Sequence, residues 1–114
     1  MLKGAHTILY SKDADADRAF LQDVLGLSHV DAGGGWLIFA LPPSEIAVHP
    51  HDTGGTQELY FMVDSIDAFV VEMGKHDVAC SDVHDEMWGR LVQVTLPGGG
   101  QLGVYEPKHA LAHG

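Results

Sequence analysis

Two stretches of this chain share one pattern, and that pattern limits what the chain can fold into more than any other feature. Gly35 to Pro50, GWLIFALPPSEIAVHP, runs an apolar strand into Leu-Pro, passes through residues that break strand pairing, and resumes as a second strand ending at proline. Gly89 to Pro107, GRLVQVTLPGGGQLGVYEP, does the same near the C-terminus. Proline cannot donate to a strand ladder, and glycine supplies the backbone angles of tight turns, so each stretch is predicted to be a β-hairpin. A supersecondary unit present twice is the organisation this implies.

The residues ahead of each hairpin follow the same order. Ala5 to Tyr10 alternates as a strand, with His6, Ile8 and Tyr10 on one face. A helix follows: Asp13, Asp15 and Asp17 enrich its start, where carboxylates favour the positive end of the macrodipole, and Ala16, Phe20, Leu21, Val24 and Leu25 form its apolar stripe. Gly26 ends it, Leu27 to Asp31 is a weak strand, and Gly33 to Gly35 is a turn. From Gln57 the order restarts. Glu58 to Val63 is a strand; Ser65 begins a helix with Ile66, Phe69, Val70 and Met73 at i, i+3, i+4 and i+7; Val78 to Val83 is a further strand. Leu91 to Leu96 and Gln101 to Glu106 form the closing hairpin around Pro97-Gly98-Gly99-Gly100. The expectation is a single α+β domain over 1–114, with βαβββ modules at 1–50 and 57–107, a polar linker at 51–56 and a short frayed tail at 108–114.

At 114 residues the chain is long enough for one core. Sixteen acids against six Lys and Arg give a formal net charge of −10, the wrong sign for a phosphate-backbone partner, so nucleic acid is not expected. The single cysteine, Cys80, cannot close an intramolecular disulfide, and no apolar run approaches a membrane-spanning length. A cytoplasmic protein that does not engage a membrane is the expectation.

Four aromatic residues are candidates for the wall of a small-molecule cleft: Trp36 and Trp88 beside glycines at strand edges, with Tyr60 and Tyr105 on strands. Each could instead pack in the core or against a second copy of the chain. An acidic protein with an aromatic cleft could attract a cationic ligand through its field and cation-π contact, and the same net charge could instead serve solubility alone. Gly98 to Gly100 precedes a strand and lacks the Lys and Ser/Thr of a phosphate loop, so it is a turn. Cys80 and His84 lie too far apart along a strand to act as nucleophile and base.

The doubled βαβββ order, the opening HTILYSKDADADRAFLQDVLGL, the restart QELYFMVDSIDAFV and the closing LPGGGQLGVYEP resemble the vicinal-oxygen-chelate superfamily, which includes glyoxalase I, bleomycin-resistance proteins and extradiol dioxygenases. The resemblance covers nearly the whole chain. It implies two modules curling into an open half-barrel, with a homodimer completing the cleft. It also implies metal ligands on the first and last strands of each module, at His6, His49, Glu58 and position 103.

Position 103 departs from the pattern, because glycine stands where a carboxylate is expected. Glu106 lies three residues on and faces the other way by strand alternation. His6, His49 and Glu58 remain, two imidazoles and a carboxylate of the kind that holds Fe(II), Mn(II), Ni(II) or Zn(II), with Glu58 able to double as a catalytic base. Taken singly, His6 and His49 are also ordinary strand-end residues and Glu58 an ordinary solvated acid. Two functions follow: a metal-dependent lyase or dioxygenase, or a metal-free protein that binds or sequesters a small organic molecule. A third possibility is a module that serves association alone. Restoring glutamate at position 103 is expected to raise metal affinity.

Overall fold

The structure is a computed structural model and describes residues 6–48, 50, 52–53 and 56–113. Its element order is α1 (Ala14–Asp23), β1 (His29–Asp31), β2 (Leu37–Phe39), β3 (Tyr60–Met62), α2 (Ile66–Lys75), β4 (His84–Glu86), β5 (Gly89–Thr95) and β6 (Gln101–Pro107). The strands form a two-stranded antiparallel pair, β1-β2, and a four-stranded sheet ordered β3-β6-β5-β4. Within that sheet β3 runs parallel to β6, while β5 is antiparallel to both β6 and β4. This is the expected βαβββ arrangement of the second half.

Both helices begin where the sequence caps them. Asp13 accepts from the Ala16 N–H at 3.1 Å, and Ser65 from the Ala68 N–H at 3.2 Å. α2 has a second acceptor at its start, because the Glu106 carboxylate on β6 receives the Ile66 N–H at 2.9 Å. Glu106 therefore does face the helix side of the sheet, away from position 103. α2 closes through Asp77 in the left-handed region at φ 56°, which lets the Val78 N–H reach the Met73 carbonyl at 3.0 Å.

The core lies between this sheet and the two helices. Val92 and Val94 of β5 and Leu102 and Val104 of β6 point to one face and are buried with Ile66, Met73, Phe20 and Leu96. Period-two alternation leaves the other face to Leu91, Gln93, Gln101, Gly103 and Tyr105. α1 joins this core through Phe20 and through Asp17, a buried carboxylate that accepts the Gly98 N–H of the β5–β6 turn at 2.7 Å. Gly98 has no room for a side chain, since a Cβ there would sit 2.9 Å from Asp17 Oδ2 and closer still to Ser11 Oγ.

The first half departs from expectation in two linked places. The predicted hairpin over Gly35 to Pro50 is not formed: Leu37–Phe39 pairs back with His29–Asp31, and residues 44–48 are not in a strand, with Ile46 94% and Val48 95% exposed. Its turn explains this. The closing hairpin turns through Gly99 at φ 92°, with Leu96 and Gly100 bonded across the turn, whereas Pro42-Pro43-Ser44-Glu45 has no glycine and two residues without an N–H. The predicted strand from Ala5 to Tyr10 is likewise unpaired over its described part, residues 6–10. By the pattern of β3 on β6, the partner expected for it is the strand that residues 44–48 do not form.

Two smaller corrections concern the second half. The strand expected over Val78 to Val83 is displaced: Cys80 forms only a bridge to Val94, and the regular strand is His84–Glu86. The tail is engaged instead of frayed, for the Ala112 N–H donates to Glu45 at 2.6 Å and His113 bonds the Ser44 carbonyl at 2.8 Å. The Cα radius of gyration is 15.0 Å, against about 13 Å for a compact chain of this length. Among the described residues no helix is long and apolar enough to cross a membrane.

Asp17→Ala removes a buried acceptor and strands the Gly98 N–H. It should lower the unfolding free energy by about 1–3 kcal/mol in urea titration, whereas Asp15→Ala on the exposed side of α1 should cost far less.

Candidate functional site

Register places the site. β3 pairs with β6 as Tyr60 with Gly103, Phe61 with Val104 and Met62 with Tyr105. Paired residues share a face, so Tyr60 and Met62 stand on the open face, beside Gly103 and Tyr105. On the other flank of β6, Gln93 is opposite Gly103 and Leu91 opposite Tyr105. A cleft of about 320 Å³ opens here, lined by Leu9, Gln57, Glu58, Leu59, Tyr60, Gln93, Gln101, Leu102 and Gly103.

Tyr60 dominates this surface. Its ring lies flat against Gly103, where a side chain would bring its Cβ nearer than 3.0 Å to ring atoms Cδ1 and Cε1 and to 3.2 Å from Cγ. The Tyr60 hydroxyl donates to Glu58 Oε2 at 2.7 Å. That bond, together with burial and the negative charge of Glu58, pushes the Tyr60 phenol up to about 12. Glu58 Oε1 has no protein partner among the described residues.

Three rings meet edge to face. Tyr60 and Tyr105 have centroids 6.0 Å apart, Tyr60 and Trp88 6.2 Å, and Trp88 and Tyr105 5.1 Å. Trp88 comes from the two-residue turn between β4 and β5, and Gly89 beside it makes the packing feasible: a Cβ there would meet Tyr105 Cδ2 at 2.8 Å and the Glu106 carbonyl at 2.6 Å. The tail fastens the cluster. Lys108 donates its backbone N–H to the Trp88 carbonyl at 2.9 Å and its ammonium to Asp85, and the Tyr105 hydroxyl is 2.9 Å from His109 Nε2. Burial and the charge of Glu45 raise the Tyr105 phenol, and burial raises the Cys80 thiol.

Of the residues expected at the site, Glu58, Tyr60, Trp88 and Tyr105 are brought together. Trp36 is not among these ring contacts. It sits on the β1–β2 hairpin turn, 63% exposed, with the Arg18 guanidinium 5.1 Å from its ring centroid. His6 is exposed, and His49 lies outside the described residues. Among the described residues no group of three or more His, Cys, Asp or Glu side chains could hold a metal ion. Gly103 offers no donor, and Glu58 is engaged by Tyr60, so the described side chains do not by themselves fit a metal. Gln93, Gln101 and His109 join the surface without having been expected. The two glutamines were signalled by their alternation with buried Val92, Val94 and Leu102, whereas nothing periodic marks His109.

Solved structures align with this chain over nearly its full length. TnmS3, an antibiotic binding protein from Streptomyces sp. CB03234, matches with a TM-score of 0.65 and 21% identity over 95% of this chain and 100% of that one. A lactoylglutathione lyase from Agrobacterium tumefaciens gives a TM-score of 0.67 and 21% identity over 91% and 92%. A glyoxylase/bleomycin resistance protein/dioxygenase domain from Frankia sp. EAN1pec gives 0.65 and 16% over 95% and 100%. No family model and no curated protein matches the chain. What these matches show is the fold: the α+β, βαβββ architecture shared with the lactoylglutathione lyase and the glyoxylase/bleomycin resistance protein/dioxygenase domain.

The Tyr60–Glu58 bond has a measurable signature. Spectrophotometric titration should show one tyrosine ionising near about 12, and Glu58→Ala should return it toward 10. The folded phenol keeps its proton where the unfolded one has lost it. This contribution to stability is thus complete below pH 10 and is lost as pH rises through about 12. Tyr60→Phe should flatten that alkaline decline.

Proposed function

We propose that this protein binds a small organic molecule with a flat apolar body on the open face of its sheet, without a metal. One observation carries the reading: three aromatic rings line a face whose expected donor position is a glycine covered by one of those rings. Such a surface offers dispersion and edge-to-face contact, with Gln93, Gln101 and the second oxygen of Glu58 as the polar groups that orient a ligand. TnmS3, similar in fold and described as an antibiotic binding protein, supports a binding role. With a formal net charge of −10 and an ionisable carboxylate in the cleft, a cationic aromatic ligand is favoured over an anionic one.

A homodimer completes this reading. Segments 6–10 and 44–48, outside any strand, leave Ile8, Tyr10, Ile46 and Val48 in solvent, and exposed apolar side chains of this kind are covered most simply by a second copy. A second function has one observation in its favour. Leu9 lines the same cleft as Glu58, which brings the segment carrying His6 toward that carboxylate. On that reading His6, His49 and Glu58 hold a divalent metal and Glu58 is the catalytic base, which requires the Tyr60 hydroxyl to release Glu58.

Tag-free protein purified without chelator should contain far less than one equivalent of Fe, Mn, Ni or Zn by elemental analysis; stoichiometric metal lost in His49→Ala would establish the second reading instead. Calorimetric titration with the cationic dye acridine orange should show saturable binding that exceeds that of anionic anilinonaphthalene sulfonate. Trp88→Ala should weaken it by about 1–2 kcal/mol, roughly tenfold in Kd, while Trp36→Ala leaves it unchanged. Light scattering should give twice the chain mass.

A further inference from the structure

We infer that Tyr60 is the residue that bars a divalent metal from this cleft, by seating its ring in the space of the missing donor at position 103 and its hydroxyl on the remaining carboxylate, Glu58. Resting on the metal-free reading above, this assigns a specificity-determining role to a side chain that pattern alone presents as strand packing. Two independent contacts support it. The ring occupies the volume that any side chain at position 103 would need. The hydroxyl, 2.7 Å from Glu58 Oε2, takes a lone pair that a metal would otherwise use. Both contacts come from one side chain, so position 103 and position 60 are coupled: glycine permits the ring, and the ring in place leaves no room for a Cβ.

The consequence changes what a substitution at position 103 does. Gly103→Glu alone does not create a donor site, because its carboxylate cannot enter past the ring and Glu58 stays engaged. Removing the ring first frees both the volume and the carboxylate. The ligand class follows: an organic molecule with a hydrogen-bond donor for Glu58 Oε1, not one that presents two adjacent oxygens to a metal.

The test is a double-mutant cycle in the full-length protein. Tyr60→Val keeps a strand-forming residue and removes the ring; Tyr60→Phe keeps the ring and removes the hydroxyl. Gly103→Ala should lower the melting temperature by about 4 °C or more in the parent and in Tyr60→Phe, but much less in Tyr60→Val. Aromatic cover of a strand glycine for stability alone would give the same coupling, so the second readout is calorimetric titration with MnCl2. Tyr60→Val combined with Gly103→Glu should bind Mn(II) at least about tenfold more tightly than Gly103→Glu alone and than the parent. Tyr60→Phe with Gly103→Glu should remain near the parent. Equal costs of Gly103→Ala in all backgrounds, or Mn(II) affinity in Gly103→Glu alone that matches the combined variant, would overturn the assignment. A parent that carries stoichiometric metal refutes the metal-free reading, whatever the cycle shows. A metal-free parent without coupling refutes the role of Tyr60 only.

Discussion

The contact on which the rest of the site depends is a tyrosine ring lying on a glycine across a parallel ladder. Pairing β3 with β6 sets residue 60 opposite residue 103, and the absence of a side chain at Gly103 lets the Tyr60 ring descend onto the backbone. From that position its hydroxyl reaches Glu58, and its edge meets Tyr105 and Trp88. Glycine inside a strand costs about 0.5–1 kcal/mol relative to alanine through lost chain entropy and missing packing, and the covering ring offsets the packing part. While Tyr60 holds these contacts, a Cβ at position 103 would fall within 3.0 Å of its ring, so only glycine fits beneath it.

The same hairpin that carries this contact also anchors the helices. Its buried face supplies Val92, Val94, Leu102 and Val104 to the core, Glu106 accepts from the first N–H of α2, and the Gly98 N–H is held by Asp17 of α1. Arg90 adds a bidentate pair to Asp67 at 3.1 and 3.3 Å, surface-exposed and therefore of modest energetic weight. The four-stranded sheet is complete within the second half. The first half contributes one helix to that core and one antiparallel strand pair, β1-β2, and its segments 6–10 and 44–48 lie outside any strand.

Much of this was legible in the residues. Both helices were marked by their caps and 3.6-residue stripes, and the closing hairpin by period-two alternation around a glycine-rich turn, because these signals are local and backbone geometry enforces them directly. Glu58 was a candidate through the family resemblance, Trp88 through the glycine beside it, and Tyr60 and Tyr105 as aromatics on strands, and the structure places the four near one another. The hairpin from Gly35 to Pro50 was over-read, because Leu-Pro is common to both copies whereas the glycine that makes the turn close is present only in the second. Trp36 lies apart from the other three rings. An aromatic beside glycines marks an edge but not which edge, and here Arg18 holds it on the first half. The engagement of His109 and His113 could not be read from a tail without periodicity.

The chain by itself determined both helices, the closing hairpin with the face each of its side chains takes, and the absence of a donor at position 103, because each follows from residue type and a repeat of two or 3.6. Tertiary structure alone decided that Tyr60 would lie on Gly103 and bind Glu58, that Asp17 would reach the distant turn at Gly98, and that segments 6–10 and 44–48 would join no strand. Those outcomes depend on register between segments far apart along the chain, and register is settled by which strands find partners, a property no local pattern encodes.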